Sequence, residues 1–246
     1  MSGHSKWATI KHKKGAADAK RGQIFTKIIK EISIAARMGG GDVDSNPRLR
    51  TAILKAKGAN MPKDNVERAI KKGTGELEGV SYEELIYEAY APGGVAILIE
   101  VLTDNKNRAA ADVRNLLTRA GGSLATSGAV SRLFKRQGII TFDGEKYTED
   151  QIMEAALEGG AEDVADADGV IEVTTAPEDF EAVLDALNSN GFESMNAEIS
   201  MVPELGVPLD KDACRKALKL VDKLEENDDV QSVYHNIEVP DDYEEE

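Results

Sequence analysis

Cysteine is nearly absent. Cys214 stands alone among 246 residues, so an internal disulfide is excluded, and its place on the helical register of Leu218 and Val221 makes it a core residue rather than a nucleophile. Long apolar runs are missing too. The longest, Val95 to Leu102, is interrupted by Glu100 and far too short to span a bilayer, and nothing near the N-terminus resembles a signal peptide. A cytoplasmic, reducing setting is expected. Neither a Walker-type glycine loop nor HExxH nor a cysteine pair occurs, and Gly121-Gly122-Ser123 to Gly128 lacks the lysine that would engage phosphates. Asp42-Val43-Asp44-Ser45-Asn46 imitates the opening of a calcium loop, yet Pro47 replaces the turn glycine and Ile53 stands where a bidentate Glu is required. His4 and His12 lack the spacing of a metal site, and His235 reads as a packed or edge strand residue. The expectation is a protein that is not an enzyme and holds no metal.

What is present is charge, unevenly spread. The whole chain carries a formal −15, but residues 1–75 hold 17 Lys and Arg against 6 Asp and Glu, a net +11, which leaves 13 basic and 39 acidic residues beyond. Such asymmetry suits a basic module that meets phosphates and an acidic remainder that resists nonspecific coating of nucleic acid. Solvated faces of unlike sign are the plainer alternative.

The basic segment opens with Ser2-Gly3-His4-Ser5-Lys6-Trp7 and Ile10-Lys11-His12-Lys13-Lys14, too polar to build a core. Residues 17–38 then repeat Ile24, Phe25, Ile28, Ile29, Ile32, Ala35 and Ala36 at helical spacing, with Lys20, Lys27, Lys30 and Arg37 on the opposite face. Asn46-Pro47 and Asn60-Met61-Pro62 signal two more helices, stopping at Gly58 and Gly73. The turn between them has helix-turn-helix length, with Lys63, Arg68, Lys71 and Lys72 on the later helix.

Beyond Gly79 strands alternate with helices. Glu88 to Pro92 and Val95 to Leu102 flank Gly93-Gly94 as a hairpin, and Asp104-Asn105 caps a helix; Val130 to Phe134 and Ile139 to Phe142 read as strands. Thr148 to Gln151 is a capping box, Val170 to Thr175 a strand, Pro177 the start of a helix, and 192–202 extended. A last helix spans 210–227 and a last strand 230–239. The fold class expected is α+β multidomain: an N-terminal arm and three-helix bundle over 1–79, a discontinuous α+β domain over 80–136 plus 206–239, an inserted α+β domain over 137–205, both ferredoxin-like, and an acidic tail at 240–246.

The candidate nucleic-acid-binding residues are Lys6, Trp7, Lys11, His12, Lys13, Lys14, Lys20, Arg21, Lys27 and Lys30. The cations supply sequence-independent affinity, and Trp7 and the histidines either stack on unpaired bases or anchor the arm to its own protein. Arg108, Arg114, Arg119 and Arg132 form a candidate secondary basic patch, which extends a backbone track or pairs with acidic neighbours.

The motifs Gly3-His4-Ser5-Lys6-Trp7, Ile10 to Lys14, Gly39-Gly40-Gly41-Asp42, Asn60-Met61-Pro62, Thr103 to Arg108 and Ser232-Val233-Tyr234-His235-Asn236 resemble the YebC family over essentially the whole chain. Ala125 and Ala129 depart from glycines usual in that family, and Arg132 occupies a place often aromatic. The resemblance implies a three-domain fold, no catalytic residues and no obligatory cofactor. It also implies a regulator of gene expression, expected as a monomer without membrane contact. Its partner is duplex DNA if the family's label of transcriptional regulator applies, or ribosomal RNA and the ribosome if the translational-activator relatives are the guide. A protein-interaction adaptor working through the acidic domains is the third alternative.

Overall fold

The computed structural model describes residues 18–167, 169–240 and 243. It is a mixed α+β architecture in which helices come first and two antiparallel four-stranded sheets follow.

Helix α1 spans Asp18–Gly39, α2 Pro47–Gly58 and α3 Lys63–Gly73. They share one core of Ile32, Ala35, Ala36, Leu49, Ala52, Ala56, Met61 and Ala69. Asn46 starts α2 as expected: its Oδ1 accepts from the Leu49 N–H at 3.1 Å, with Pro47 in the first turn. The same buried side chain donates through Nδ2 to the Ala35 and Gly40 carbonyls, both at 2.8 Å, so one residue closes α1 and opens α2. Gly39 makes room for it, because a Cβ there would lie 2.7 Å from Asn46 Nδ2. Asn60 corrects the sequence reading. It does not cap α3 but sits at φ 54° and closes α2, with the Met61 N–H bonded to the Ala56 carbonyl at 2.9 Å. Pro62 disfavours helix at the residue before it, so α3 begins only at Lys63.

The first sheet contains β1 (Glu83–Ala91), β2 (Val95–Thr103), β3 (Ser123–Leu124) and β9 (Val230–His235), in the order β3-β1-β2-β9. Helices α4 (Lys106–Arg119) and α7 (Lys211–Glu225) cover one face; Ile97, Ile99 and Val101 meet Val113, Leu117, Cys214, Leu218 and Val221 there. The second sheet contains β4 (Phe134–Asp143), β5 (Asp163–Ala167), β6 (Val170–Thr175) and β7 (Asn196–Pro203), ordered β5-β6-β4-β7. Helices α5 (Glu149–Glu158) and α6 (Phe180–Ser189) bury Ile152, Ala156, Phe180 and Val183 against Ile140, Phe142, Ile171 and Val173. Leu98, Phe134, Met201 and Tyr234 pack where the two sheets meet. A short parallel pair, β8 (Val207–Pro208) with β10 (Ile237–Glu238), ties the connecting segment to the chain end.

Residues 130–134 do not form the strand expected of them. Ser131–Leu133 is a 3-10 turn, and β4 runs unbroken from Phe134 to Asp143. The cause is Glu88 on β1, whose buried carboxylate accepts from the Gly128, Val130 and Ser131 N–H groups at 2.6, 2.5 and 2.9 Å. Three convergent donors to one anion curl the loop. Burial pushes the Glu88 carboxyl up, but these bonds outweigh it and hold the group below the usual carboxylate range.

Candidate nucleic-acid interface

Lys6, Trp7, Lys11, His12, Lys13 and Lys14 lie outside the described residues. Lys20 and Arg21 fall in the first turn of α1, where only the backbone is described. The rest of the predicted site is in view, and much of it is already engaged.

Gln23, Lys27 and Lys30 recur at intervals of four and three on α1 and so share one face. That face meets the carbonyls left open where α7 ends: Gln23 Nε2 donates to the Glu226 oxygen at 3.0 Å, Lys27 Nζ to Glu225 at 2.6 Å and Lys30 Nζ to Asp228 at 2.7 Å. Cations are favoured at this negative helix end. Lys30 reaches furthest in. Its ammonium also donates to the Leu102 carbonyl at 3.2 Å and Asp229 Oδ1 at 2.9 Å, with the Tyr82 ring centroid 5.5 Å away.

Arg108 joins the same carboxylate, Nε and Nη2 donating to Asp229 Oδ2 at 3.2 and 2.8 Å, while Nη2 also bonds Asp104 at 2.7 Å. Burial alone would push the Asp229 carboxyl up, but the two cations hold it below the usual range. Asp229 in turn raises the Arg108 guanidinium. Lys30, 7% exposed, is not an outward cation: it fastens α1 to the first sheet, with the half-buried Lys27 tied beside it, while the exposed Arg108 takes the second of the two roles expected of its patch, pairing with acidic neighbours.

Helix α2 is engaged as well. Arg48 pairs with Glu31 at 2.7 Å and with Glu84 on β1; Arg50 reaches Glu181 on α6 at 2.6 Å, and Lys55 reaches Glu198 on β7 at 3.1 Å. These pairs stitch the helical unit to both sheets. Sequence reasoning missed the seam because each partner lies far along the chain; the opposite net charges of the two parts were the available signal.

Exposed cations remain on α3, where Lys63, Arg68, Lys71 and Lys72 face outward. Lys63 leans toward Glu67 at 3.6 Å, while Arg68 and Lys71 hold no ion pair among the described residues. In the secondary patch, Arg114 and Arg119 are exposed on α4 and Arg132 on the 3-10 turn rather than on a strand. Among the described residues no three His, Cys, Asp or Glu gather as a metal group, and no helix is long and apolar enough to cross a membrane.

Residues 5–76 match the family model for the TACO1/YebC protein N-terminal domain, and residues 82–237 that for the TACO1/YebC second and third domain. A protein of Treponema denticola named a probable transcriptional regulatory protein is 68% identical over 244 residues, 99% of both chains. One of the same name from Treponema pallidum is 66% identical over 240 residues, 98% of both. The crystal structure of a conserved hypothetical protein from Aquifex aeolicus superposes with a TM-score of 0.85 at 46% identity, covering 93% of this chain and 95% of that one.

Proposed function

The chain belongs to the TACO1/YebC family, and from that premise we propose that it is a non-enzymatic regulator of gene expression that binds nucleic acid through its N-terminal arm and the outer face of α3. One observation carries this reading: with the seam cations paired internally, Arg68 and Lys71 stay exposed on α3 without an ion pair among the described residues, in a segment, 1–75, of net charge +11. The names of the relatives make transcription, with duplex DNA as ligand, the first reading. We read the β4–β7 unit as ferredoxin-like, from its chain order β-α-β-β-α-β and its sheet order, and the first sheet as a departure, since its hairpin precedes its helices. We divide the chain close to 1–79, 80–136 with 206–239, and 137–205, with the inserted unit starting at Phe134, where β4 begins.

A second reading, ribosomal RNA as the ligand, is favoured by α2. In helix-turn-helix docking the first helix crosses the DNA backbone while the second enters the groove. Here Arg48, Arg50 and Lys55 of that first helix are held by carboxylates of the same chain. An arm gripping folded RNA needs no such crossing.

Replacing Lys11, Lys13, Lys14, Lys20 and Arg21 with Ala tests the common part, read by fluorescence anisotropy with duplex DNA and with structured RNA. Loss of at least tenfold in affinity is expected, and unchanged binding of both ligands overturns the proposal. Sequence-preferential binding of a promoter fragment that survives competitor DNA selects the first reading. Sedimentation with ribosomes at low but not high salt selects the second.

A further inference from the structure

A small cavity opens between the C-terminal turns of α1 and α3 and the segment that leads into β1. Ser33 and Arg37 line it from α1, Lys72 from α3, and Gly79, Ser81 and Tyr82 from the connecting segment. Its volume is about 150 Å³. That is room for on the order of five waters, and well below the roughly 300–1,000 Å³ of a pocket that engulfs a metabolite. Among the described residues no carboxylate lines it, in a chain with 45 acidic residues and a net charge of −15. The two cations also differ from those of the seam. Arg37 Nη1 donates to Ser81 Oγ and to the Tyr82 carbonyl at 3.3 Å, which fixes the guanidinium and leaves Nε and Nη2 without a partner among the described residues. Lys72 lays its aliphatic stem on Gly79, where an added Cβ would stand 3.2 Å from Lys72 Cβ, and its ammonium holds no ion pair among the described residues.

We propose that this cavity is a binding site for a single phosphoryl group, held by the free edge of Arg37 and the Lys72 ammonium. Arg supplies a fixed planar fork suited to phosphate oxygens, and Lys adds a mobile point charge. A cavity of this size takes one phosphate without its nucleoside, which fits a backbone phosphate whose sugar and base stay outside. The site rests on the nucleic-acid reading above for its macromolecular ligand, while its anion chemistry stands without it.

The full-length protein tests both sources. In the first arm, inorganic phosphate is titrated while the backbone amides of Gly79, Val80 and Ser81 are followed by NMR. Saturable shifts are expected in the parent protein and their loss in Lys72→Gln. In the second, affinity for structured RNA and for duplex DNA is measured across salt concentrations. Loss of one phosphate contact should lower the slope of log K against log salt by about 1, and affinity about three- to tenfold, in Lys72→Gln. Val80→Glu adds a carboxylate to the lining that competes with phosphate for the two cations, leaves Arg37 and Lys72 themselves unchanged and should act in the same direction; Val80 is 58% exposed, so the new charge is not forced into the core. A slope change identifies a nucleic-acid phosphate as ligand, and amide shifts without one identify free phosphate. If neither arm responds while the arm-lysine variants lose nucleic acid, the cavity is not a phosphate site and the function proposed above stands. If those variants bind normally too, both proposals fall.

Discussion

Glu88 and Glu100 lie on the two strands of one hairpin, yet their surroundings drive them in opposite directions. Glu88 is held below the usual carboxylate range by backbone donors against the pull of burial; its bonding therefore stabilises the fold above the unfolded pKa and is lost as pH falls through the lower, folded value. Glu100 is half-buried where the first sheet meets its neighbours and is pushed up, first by desolvation; the Tyr234 hydroxyl, donating to its Oε2 at 3.0 Å, and Lys55 and Arg136 nearby only partly offset this. The sign there is reversed: the folded state favours the proton, so the contribution is present below the unfolded pKa and disappears as pH rises through the folded one. Denaturation of Glu88→Gln and Glu100→Gln between pH 3.5 and 7 should separate them. Glu88→Gln loses about 2 kcal/mol at neutral pH, and its gap to the parent closes in acid. Glu100→Gln equals or exceeds the parent at neutral pH, by up to about 1 kcal/mol, and the advantage shrinks as pH falls. Parallel pH profiles would contradict the assignment.

At the scale of elements, Asn46 shows how one side chain couples two helices. It caps α2 and donates to two carbonyls at the end of α1, so Asn46→Ala leaves the Leu49 N–H and the Gly40 carbonyl without these partners in a largely buried place, while the Ala35 carbonyl keeps its bond within the helix. A loss of about 2–3 kcal/mol in urea unfolding is expected, whereas Asn46→Asp, which keeps the cap but cannot donate, should lose about half as much. Elements of this kind are legible in sequence because their signals are local. Asn46-Pro47, the Thr148–Gln151 capping box and the Asn105 cap stand where the structure uses them. Legibility fails where the cause is distant. Strand β5, Asp163–Ala167, has a composition that reads as loop and is a strand through its pairing with β6. The 3-10 turn at 131–133 follows from a carboxylate some forty residues upstream. The candidate site divides in the same way. The basic character of α1 and α3 is plain in the sequence, but Lys30 becomes a buried fastener only through Asp229, 199 positions away.

Taken as a whole, the molecule uses its charge asymmetry twice. Part of the positive end closes onto the negative remainder through Arg50–Glu181, Lys55–Glu198 and Lys30–Asp229; Arg37, Lys57 and the cations of α3 stay outward. The half-exposed pairs of α2 contribute little to stability, because water and salt screen them. Their larger effect is to keep Arg48, Arg50 and Lys55 from facing a polyanion freely. On the proposed function, nucleic acid and the acidic domains compete for the same residues, and weakening the internal partner should favour the external one. Glu181→Gln with Glu198→Gln removes two carboxylates that face α2 while preserving side-chain size. The double variant should bind nonspecific duplex DNA about three- to tenfold more tightly at low salt, with a steeper salt dependence, and should lose that gain when Arg50→Gln and Lys55→Gln are added. If the gain persists without Arg50 and Lys55, it comes from lowered overall negative charge rather than from released α2 cations, and the seam plays no part in withholding them.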